Sequence, residues 1–200
     1  MRPILMIDDL KTLHDARYCA AVGIAMVSFD MRPGGMAAPT VREIVEWLSG
    51  IDCYGRIGHL RPEEIADLVS QSGIAGVVLP LDYPESWVAD LETSVVYDAS
   101  EGMWAASSVA RLQEIQAQAA SALFLVPAGA LDHASNMEAS LIARMIVISN
   151  DPDSIFHRLE NQGKQPFGFC LGTFAVDEAG QVDYDACDSF LSTYETLVPA

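Results

Sequence analysis

The chain has 200 residues, of which 50% are hydrophobic, and its formal net charge is −17. This length suits one large domain with a sizeable hydrophobic core. The strong negative charge argues against binding to nucleic acid or to anionic membrane surfaces. No apolar run reaches the length of a membrane span, and the start of the sequence lacks the pattern of a secretory signal. We therefore expect a cytoplasmic protein that binds neither nucleic acid nor membrane.

Short apolar runs typical of strands alternate with stretches of helical periodicity along the whole chain. The predicted strands are Ile4–Ile7, Ile24–Phe29, Cys53–Gly58, Gly76–Leu81, Ser94–Tyr97, Ala122–Val126, Arg144–Ile148 and Phe167–Leu171. The predicted helices are Lys11–Val22, Pro39–Trp47, Pro62–Ser70, Pro84–Leu91, Met103–Ala120, Ser135–Leu141, Pro152–Gln162 and Asp183–Leu197. The segment Gly129–Met137 is predicted to be a long loop.

Eight strands that are each followed by a helix predict a (β/α)₈ barrel, here as a single compact domain over residues 1–200. An open doubly wound sheet of flavodoxin type is the alternative. Eight strands are many for such a sheet, and no glycine-rich phosphate loop follows the first strand.

The first strand, Ile4–Ile7, runs directly into the first predicted helix. Asp8 and Asp9 follow the strand, and either Asp9 or Thr12 is suited to cap the helix. Ligands of α/β proteins bind at the end where strands give way to helices. We therefore expect a small-molecule ligand at the C-terminal face of the barrel.

The segments Leu13–Ala16, Gly55–His59 and Pro62–Ile65 are similar to segments of one enzyme family. The family that they resemble is phosphoribosylanthranilate isomerase, the barrel enzyme of tryptophan biosynthesis. Leu13-His-Asp-Ala16 resembles the family's Leu-Glu-Asp-Ala, and Gly55-Arg-Ile-Gly-His59 resembles its Gly-Val-Phe-Val-Asn. Pro62-Glu-Glu-Ile65 matches the family's Pro-Glu-Glu-Ile, and the stretch from Gly168 to Gly180 resembles its last strand and turn. The resemblance covers residues 3–90 and 165–195 better than the middle of the chain, and it implies the same barrel fold.

The departures from the family pattern fall at the positions that carry its chemistry. The catalytic Cys of the family maps to Asp8, and its general-acid Asp maps to Val126 or Pro127. The family reaction is an Amadori rearrangement, which needs one acid and one base. We therefore expect a divergent isomerase-like barrel without the standard activity.

Two alternatives stay open beside this interpretation. The chain could be an active isomerase that uses Asp8 as the base and Asp98 as the acid. It could also be a barrel of other function that binds a metal or a metabolite, or a barrel without catalysis. His59, together with Asp8 and Asp30, has the ligand chemistry of a divalent metal site, although a hydrogen-bonded histidine is the commoner outcome.

The candidate binding residues lie at or just past predicted strand ends. They are Asp30, Arg32, His59, Asp82, Gly172 and Thr173, the last two as backbone donors for a small anion. The carboxylates predicted at this face are Asp8, Asp9, Asp30, Asp82, Asp98 and Glu101. With Arg32 and Arg61 as the nearby cations, we expect an acidic face that repels a phosphate dianion. We expect no cofactor, and either a monomer or a homodimer.

The four cysteines are widely spaced, with no CxxC pair and no disulfide framework. They are Cys19, Cys53, Cys170 and Cys187. We expect reduced and mostly buried thiols.

Overall fold

The eight strands form one closed parallel barrel, in which they follow one another in chain order. A computed structural model describes residues 3–100, 104, 106–119, 121–149, 151, 155, 157, 159, 164–172 and 183–197. The strands are β1 Ile4–Ile7, β2 Met26–Asp30, β3 Asp52–Arg56, β4 Gly76–Pro80, β5 Ser94–Asp98, β6 Leu123–Pro127, β7 Met145–Ile148 and β8 Gly168–Cys170. The barrel prediction is confirmed, and the open sheet is wrong.

The helices follow the strands, as the alternation in the sequence predicts. They are α1 Leu13–Ala21, α2 Ala38–Val45, α3 Pro62–Ser72, α4 Glu85–Val88, α5 Ala106–Gln118, α6 Ala139–Ile142 and α7 Tyr184–Leu197. The predicted helix Pro152–Gln162 lies largely outside the described residues.

Local sequence signals account for where the early helices begin and end. Thr12 caps α1, because its hydroxyl accepts the Asp15 N–H at 3.1 Å while the Asp15 carboxylate accepts the Thr12 N–H at 3.0 Å. Pro62 is the first residue of α3, where its missing N–H costs no hydrogen bond. Gly73 ends α3 with a φ of 72°, a left-handed conformation that glycine adopts without steric cost.

The middle of the chain departs from the predicted elements. The segment predicted as a loop, Gly129–Met137, is mostly a 3₁₀ helix that spans Ala128–Asn136. Ala130 and Leu131 within it are buried, so apolar contacts hold the segment against the core. The predicted helices Ser135–Leu141 and Pro84–Leu91 shrink to the single turns α6 and α4.

The chain divides into two compact units, one of them Ile7–Asp98 and the other Met1–Met6 with Ala99–Ala200. In the first unit, β2, β3, β4 and β5 pair in sequence, and α2 packs against α3. In the second unit, β8 pairs with both β1 and β7. There the Phe169 ring meets the Tyr194 ring edge-on, with centroids 6.2 Å apart. The single-domain organisation of residues 1–200 stays a prediction.

The four cysteines are free and buried, as predicted. Burial raises the pKa of the Cys53 thiol to about 12, so this group stays protonated at neutral pH. None of the helices in the described part of the chain combines the length and the hydropathy of a membrane span.

Gly168 permits the close pairing of β8 with β1, and its substitution provides a test of that packing. A Cβ at this position would lie 2.5 Å from Ile4 Cγ1 and 2.7 Å from the Ile4 carbonyl oxygen. We expect Gly168→Ala to lower the free energy of unfolding by about 1–3 kcal/mol through overpacking, measured by urea titration.

Gly129→Ala is the matched control, because no atom lies within 4 Å of the added carbon. We expect it to change stability by less than about 0.5 kcal/mol. Equal stability of the two variants would contradict the tight approach of β8 to Ile4.

Candidate functional site

Three charged side chains meet at the carboxyl ends of β1, β3 and β5, within the unit Ile7–Asp98. Arg56 Nη2 donates to Asp8 Oδ2 at 2.5 Å, and Arg56 Nη1 donates to the Asp98 carboxylate. The side chains of Arg56, Asp8 and Asp98 are 10%, 14% and 8% exposed. This Asp8–Arg56–Asp98 cluster brings together the two predicted catalytic carboxylates, and a cation joins them.

Ser28, on β2, fixes the carboxylate of Asp8 and the backbone that follows it. Its fully buried hydroxyl donates to Asp8 Oδ1 and accepts the Asp9 N–H at 3.1 Å. The Ser28 carbonyl oxygen accepts the Leu10 N–H at 2.7 Å. Both oxygens of Asp8 therefore already accept a hydrogen bond, one from Ser28 and one from Arg56.

Asp9 has a left-handed backbone, with a φ of 58°, and within the described residues it is the one non-glycine residue of positive φ. Such a conformation costs a side-chain-bearing residue roughly 1–2 kcal/mol. The bonds from Ser28 to Asp9 and Leu10 hold it in place. Strained backbone of this kind is concentrated at functional sites.

The other predicted binding residues form two separate pairs. Arg32 Nε and Nη2 donate to the two oxygens of Asp30, each at 2.9 Å. The hydrogen bond from Arg32 is the main reason that the pKa of Asp30 lies below its ordinary value. His59 Nε2 lies 3.0 Å from Asp82 Oδ1, and its ring stacks on Tyr83 with centroids 6.3 Å apart.

The alternative of a carboxylate–histidine metal site has no support among the described residues. Asp8 binds Arg56, Asp30 binds Arg32, and His59 pairs with Asp82 instead. Across the part of the chain that the structure describes, no three His, Cys, Asp or Glu side chains are placed to hold a metal ion.

The expectation of an unrelieved acidic face also needs correction, because Arg56 was missed. It is the last residue of β3 and is itself buried, and a buried charged residue requires a partner of opposite charge. The position of Arg56 within the predicted strand Cys53–Gly58 is the signal in the sequence that indicates a buried ion pair. Asp9 likewise has a cation beside it, since Lys11 Nζ lies 2.5 Å from Asp9 Oδ1.

The candidate anion donors belong to the second unit. Gly172 has a φ of 77°, and its N–H donates to Cys170 Sγ at 3.3 Å, so this amide already has a partner. Thr173 and Glu101 lie outside the described residues. Val126, the predicted counterpart of the family's acid, is fully buried near the end of β6.

Removal of Arg56 should expose how strongly the fold depends on the cluster. Arg56→Met leaves Asp8 and Asp98 without their cation in a poorly solvated place. We expect a loss of about 3–5 kcal/mol in the free energy of unfolding at pH 7, the usual cost of breaking a buried ion pair. Urea titration measures this loss.

Arg32→Met is the matched control for that variant, because its partner Asp30 is also a carboxylate but Arg32 is 45% exposed. An exposed ion pair contributes less than about 1 kcal/mol. Equal losses from Arg56→Met and Arg32→Met would mean that the cluster is solvated and weak.

The Asp30–Arg32 pair predicts a dependence of stability on pH. The pKa of Asp30 in the folded state lies below its ordinary value of 3.8. The stabilisation is therefore complete above the unfolded-state pKa and disappears as the pH falls through the folded-state pKa. We expect Asp30→Asn to cost less than about 1 kcal/mol at pH 6 and nothing in strong acid, by urea titration at several pH values.

The control is the double variant that carries both Asp30→Asn and Arg32→Met. Adding Arg32→Met to Asp30→Asn should change the free energy of unfolding little at any pH. A difference between wild type and Asp30→Asn that grows towards acid would have the wrong sign for this pair.

Comparison with known proteins bears on the fold alone. No protein-family model matches the sequence, and no curated protein is similar to it in sequence. Phosphoribosylanthranilate isomerase from Thermus thermophilus is similar in structure, with a TM-score of 0.73 and 17% identity over 97% of this chain and 99% of that one.

Two further solved structures show the same relationship. A phosphoribosylanthranilate isomerase in complex with reduced 1-(o-carboxyphenylamino)-1-deoxyribulose 5-phosphate has a TM-score of 0.76 and 16% identity, over 97% of this chain and 99% of that one. Orotidine 5'-monophosphate decarboxylase from Sulfolobus solfataricus has a TM-score of 0.68 and 11% identity, over 98% and 100%. The chain thus has the barrel fold of phosphoribosylanthranilate isomerase, as the sequence resemblance implies.

Proposed function

We propose that this chain is a divergent barrel of the phosphoribosylanthranilate isomerase type, which binds a small molecule near its strand ends and lacks the standard isomerase activity. The observation that carries the proposal is the position of Arg56, which donates to both Asp8 and Asp98. These are the two carboxylates that would have to replace the family's base and acid.

The contacts of the two carboxylates suit them poorly to acid–base work. A general acid must carry a proton, whereas a guanidinium donor favours the ionised form of a carboxylate. Asp98 receives such a donor. A general base needs a lone pair directed at the substrate, and one lone pair on each oxygen of Asp8 is already engaged by a hydrogen bond, from Ser28 or from Arg56.

The cations of this region also count against the usual phosphorylated substrate. Lys11 pairs with Asp9, and Arg32 pairs with Asp30. Arg56 is held between two carboxylates. To reach any of these three cations, a phosphate dianion would have to displace a carboxylate, while the net charge of the chain, −17, repels it. We infer a neutral or weakly charged ligand for this site.

One alternative has an observation in its favour. Asp8 and Asp98 contact the same guanidinium, so substrate binding that draws Arg56 away would free two neighbouring carboxylates for isomerase chemistry. Under this alternative the chain belongs to tryptophan biosynthesis. A cytoplasmic location and a monomeric or homodimeric state are proposed in either case.

The test is turnover of phosphoribosylanthranilate by the purified protein, together with rescue of a tryptophan auxotroph by its gene. We expect neither. A general acid and a general base each contribute roughly 10²- to 10⁴-fold, so the loss of both leaves little rate.

Asp8→Asn and Asp90→Asn form the matched pair for this test, since Asp90 is an exposed aspartate just after α4. Turnover by the wild type that Asp8→Asn abolishes and Asp90→Asn preserves would overturn the proposal in favour of an active isomerase. Absence of turnover in all three proteins supports it.

A further inference from the structure

A second concave site lies within the unit Ile7–Asp98, between the start of α1 and the side of α2. It is a cavity of about 430 Å³, and the residues that matter most in its lining are Lys11, Leu13, Thr40, Glu43, Ile44 and Trp47. This volume is within the range of small-molecule sites in proteins, roughly 300–1,000 Å³. The cavity plays no part in the proposed function above, and the inference does not depend on that proposal.

An exposed indole gives the cavity its apolar surface. Trp47 is 62% exposed, and among the described residues no other large hydrophobic side chain is exposed. Arg17 Cζ lies 4.8 Å from the centroid of the indole ring. Arg17 thus restrains the ring from α1, and the contact shows that the ring already accepts a cation on its face. Buried Ile44 and half-buried Leu13 add aliphatic surface.

The charges of the lining favour a cation over an anion. Glu46, also in the lining, binds Arg42 at 3.2 Å, and the positive charge of Lys11 is engaged by Asp9 at 2.5 Å. Glu43 is exposed and has no ion pair or hydrogen-bond partner among the described residues. An anion would meet this carboxylate with no unpaired cation in the lining to offset it, since Arg17 lies outside the lining, on the indole face. A cation would find the negative charge of Glu43 unpaired.

We propose that this cavity binds an organic ammonium ion with an apolar body, the class to which arylalkylamines belong. The ammonium group is bound by the carboxylate of Glu43, with the Thr40 hydroxyl as a second acceptor. The apolar body packs on the indole of Trp47 and on Ile44. An indole beside a free carboxylate is the combination of groups that recognises such ions.

The experiment is calorimetric titration of the full chain with 2-phenylethylammonium chloride at low ionic strength. We expect millimolar binding to the wild type. The neutral analogue 2-phenylethanol and the anion phenylacetate should bind at least about tenfold more weakly, because the alcohol offers Glu43 only an uncharged hydrogen-bond donor and the anion is repelled by it. Equal binding of the alcohol would overturn the proposal, since the cavity would then be merely apolar.

Variants separate the two recognition elements. Glu43→Gln should weaken binding of the ammonium ion about tenfold, as expected when a charge-assisted hydrogen bond is lost. Trp47→Ala should weaken the ammonium ion and the alcohol alike. Glu92→Gln, an exposed glutamate outside the cavity, is the matched control and should bind as the wild type does.

All three surface substitutions leave the core untouched, and unchanged thermal melting of each variant checks that its fold is intact. Unchanged affinity of Glu43→Gln for the ammonium ion overturns the proposal, as does failure of the wild type to bind it at about ten millimolar.

Discussion

The guanidinium of Arg56 is the interaction on which the site at the strand ends depends. It joins two carboxylates, Asp8 and Asp98, that follow or end other strands. Charges with so little exposure are tolerated only when they are paired and hydrogen-bonded. Ser28 donates to one oxygen of Asp8 and Arg56 to the other, so the two donors together fix the orientation of that carboxylate. The strand ends of this unit are thus held together by charge and not only by apolar packing.

Local pairing also explains how so acidic a chain builds a compact strand-end region. The net charge is −17, yet in the first unit the carboxylates that follow the strands each have a nearby partner. Arg32 and Lys11 bind the side chains of Asp30 and Asp9, and His59 lies beside Asp82. The excess negative charge therefore lies elsewhere on the surface, where water screens it.

The barrel could be predicted from the sequence because its signals are local. Buried parallel strands produce continuous apolar runs, and β1 has the predicted bounds, Ile4–Ile7. Pro62 and Gly73 mark the two ends of α3 for stereochemical reasons that need no tertiary information. The prediction weakens where α4 and α6 are single turns, because four residues do not establish a helical period.

The arrangement of the site could be predicted only in part, because its contacts are distant in sequence. Asp8 and Asp98 were identified from their places after strands, but Arg56 lies 48 residues from one and 42 from the other. Ser28 gave no signal, since a serine within a strand is chemically unremarkable until its neighbours are known. A charged residue inside a predicted strand, as Arg56 is in Cys53–Gly58, is the feature of the sequence that indicates a partner of opposite charge.

The cluster also constrains the order in which its three residues can be exchanged during evolution. Arg56 with either carboxylate alone is a neutral pair, whereas Asp8 and Asp98 without Arg56 would be two like charges with little solvent. In the least costly order of single exchanges, the arginine is therefore introduced before the second aspartate. It is replaced only after one of the two aspartates has been replaced. The effect of a cysteine at position 8 accordingly depends on what stands at positions 56 and 98. Exchanging one residue of this cluster is thus not equivalent to exchanging all three.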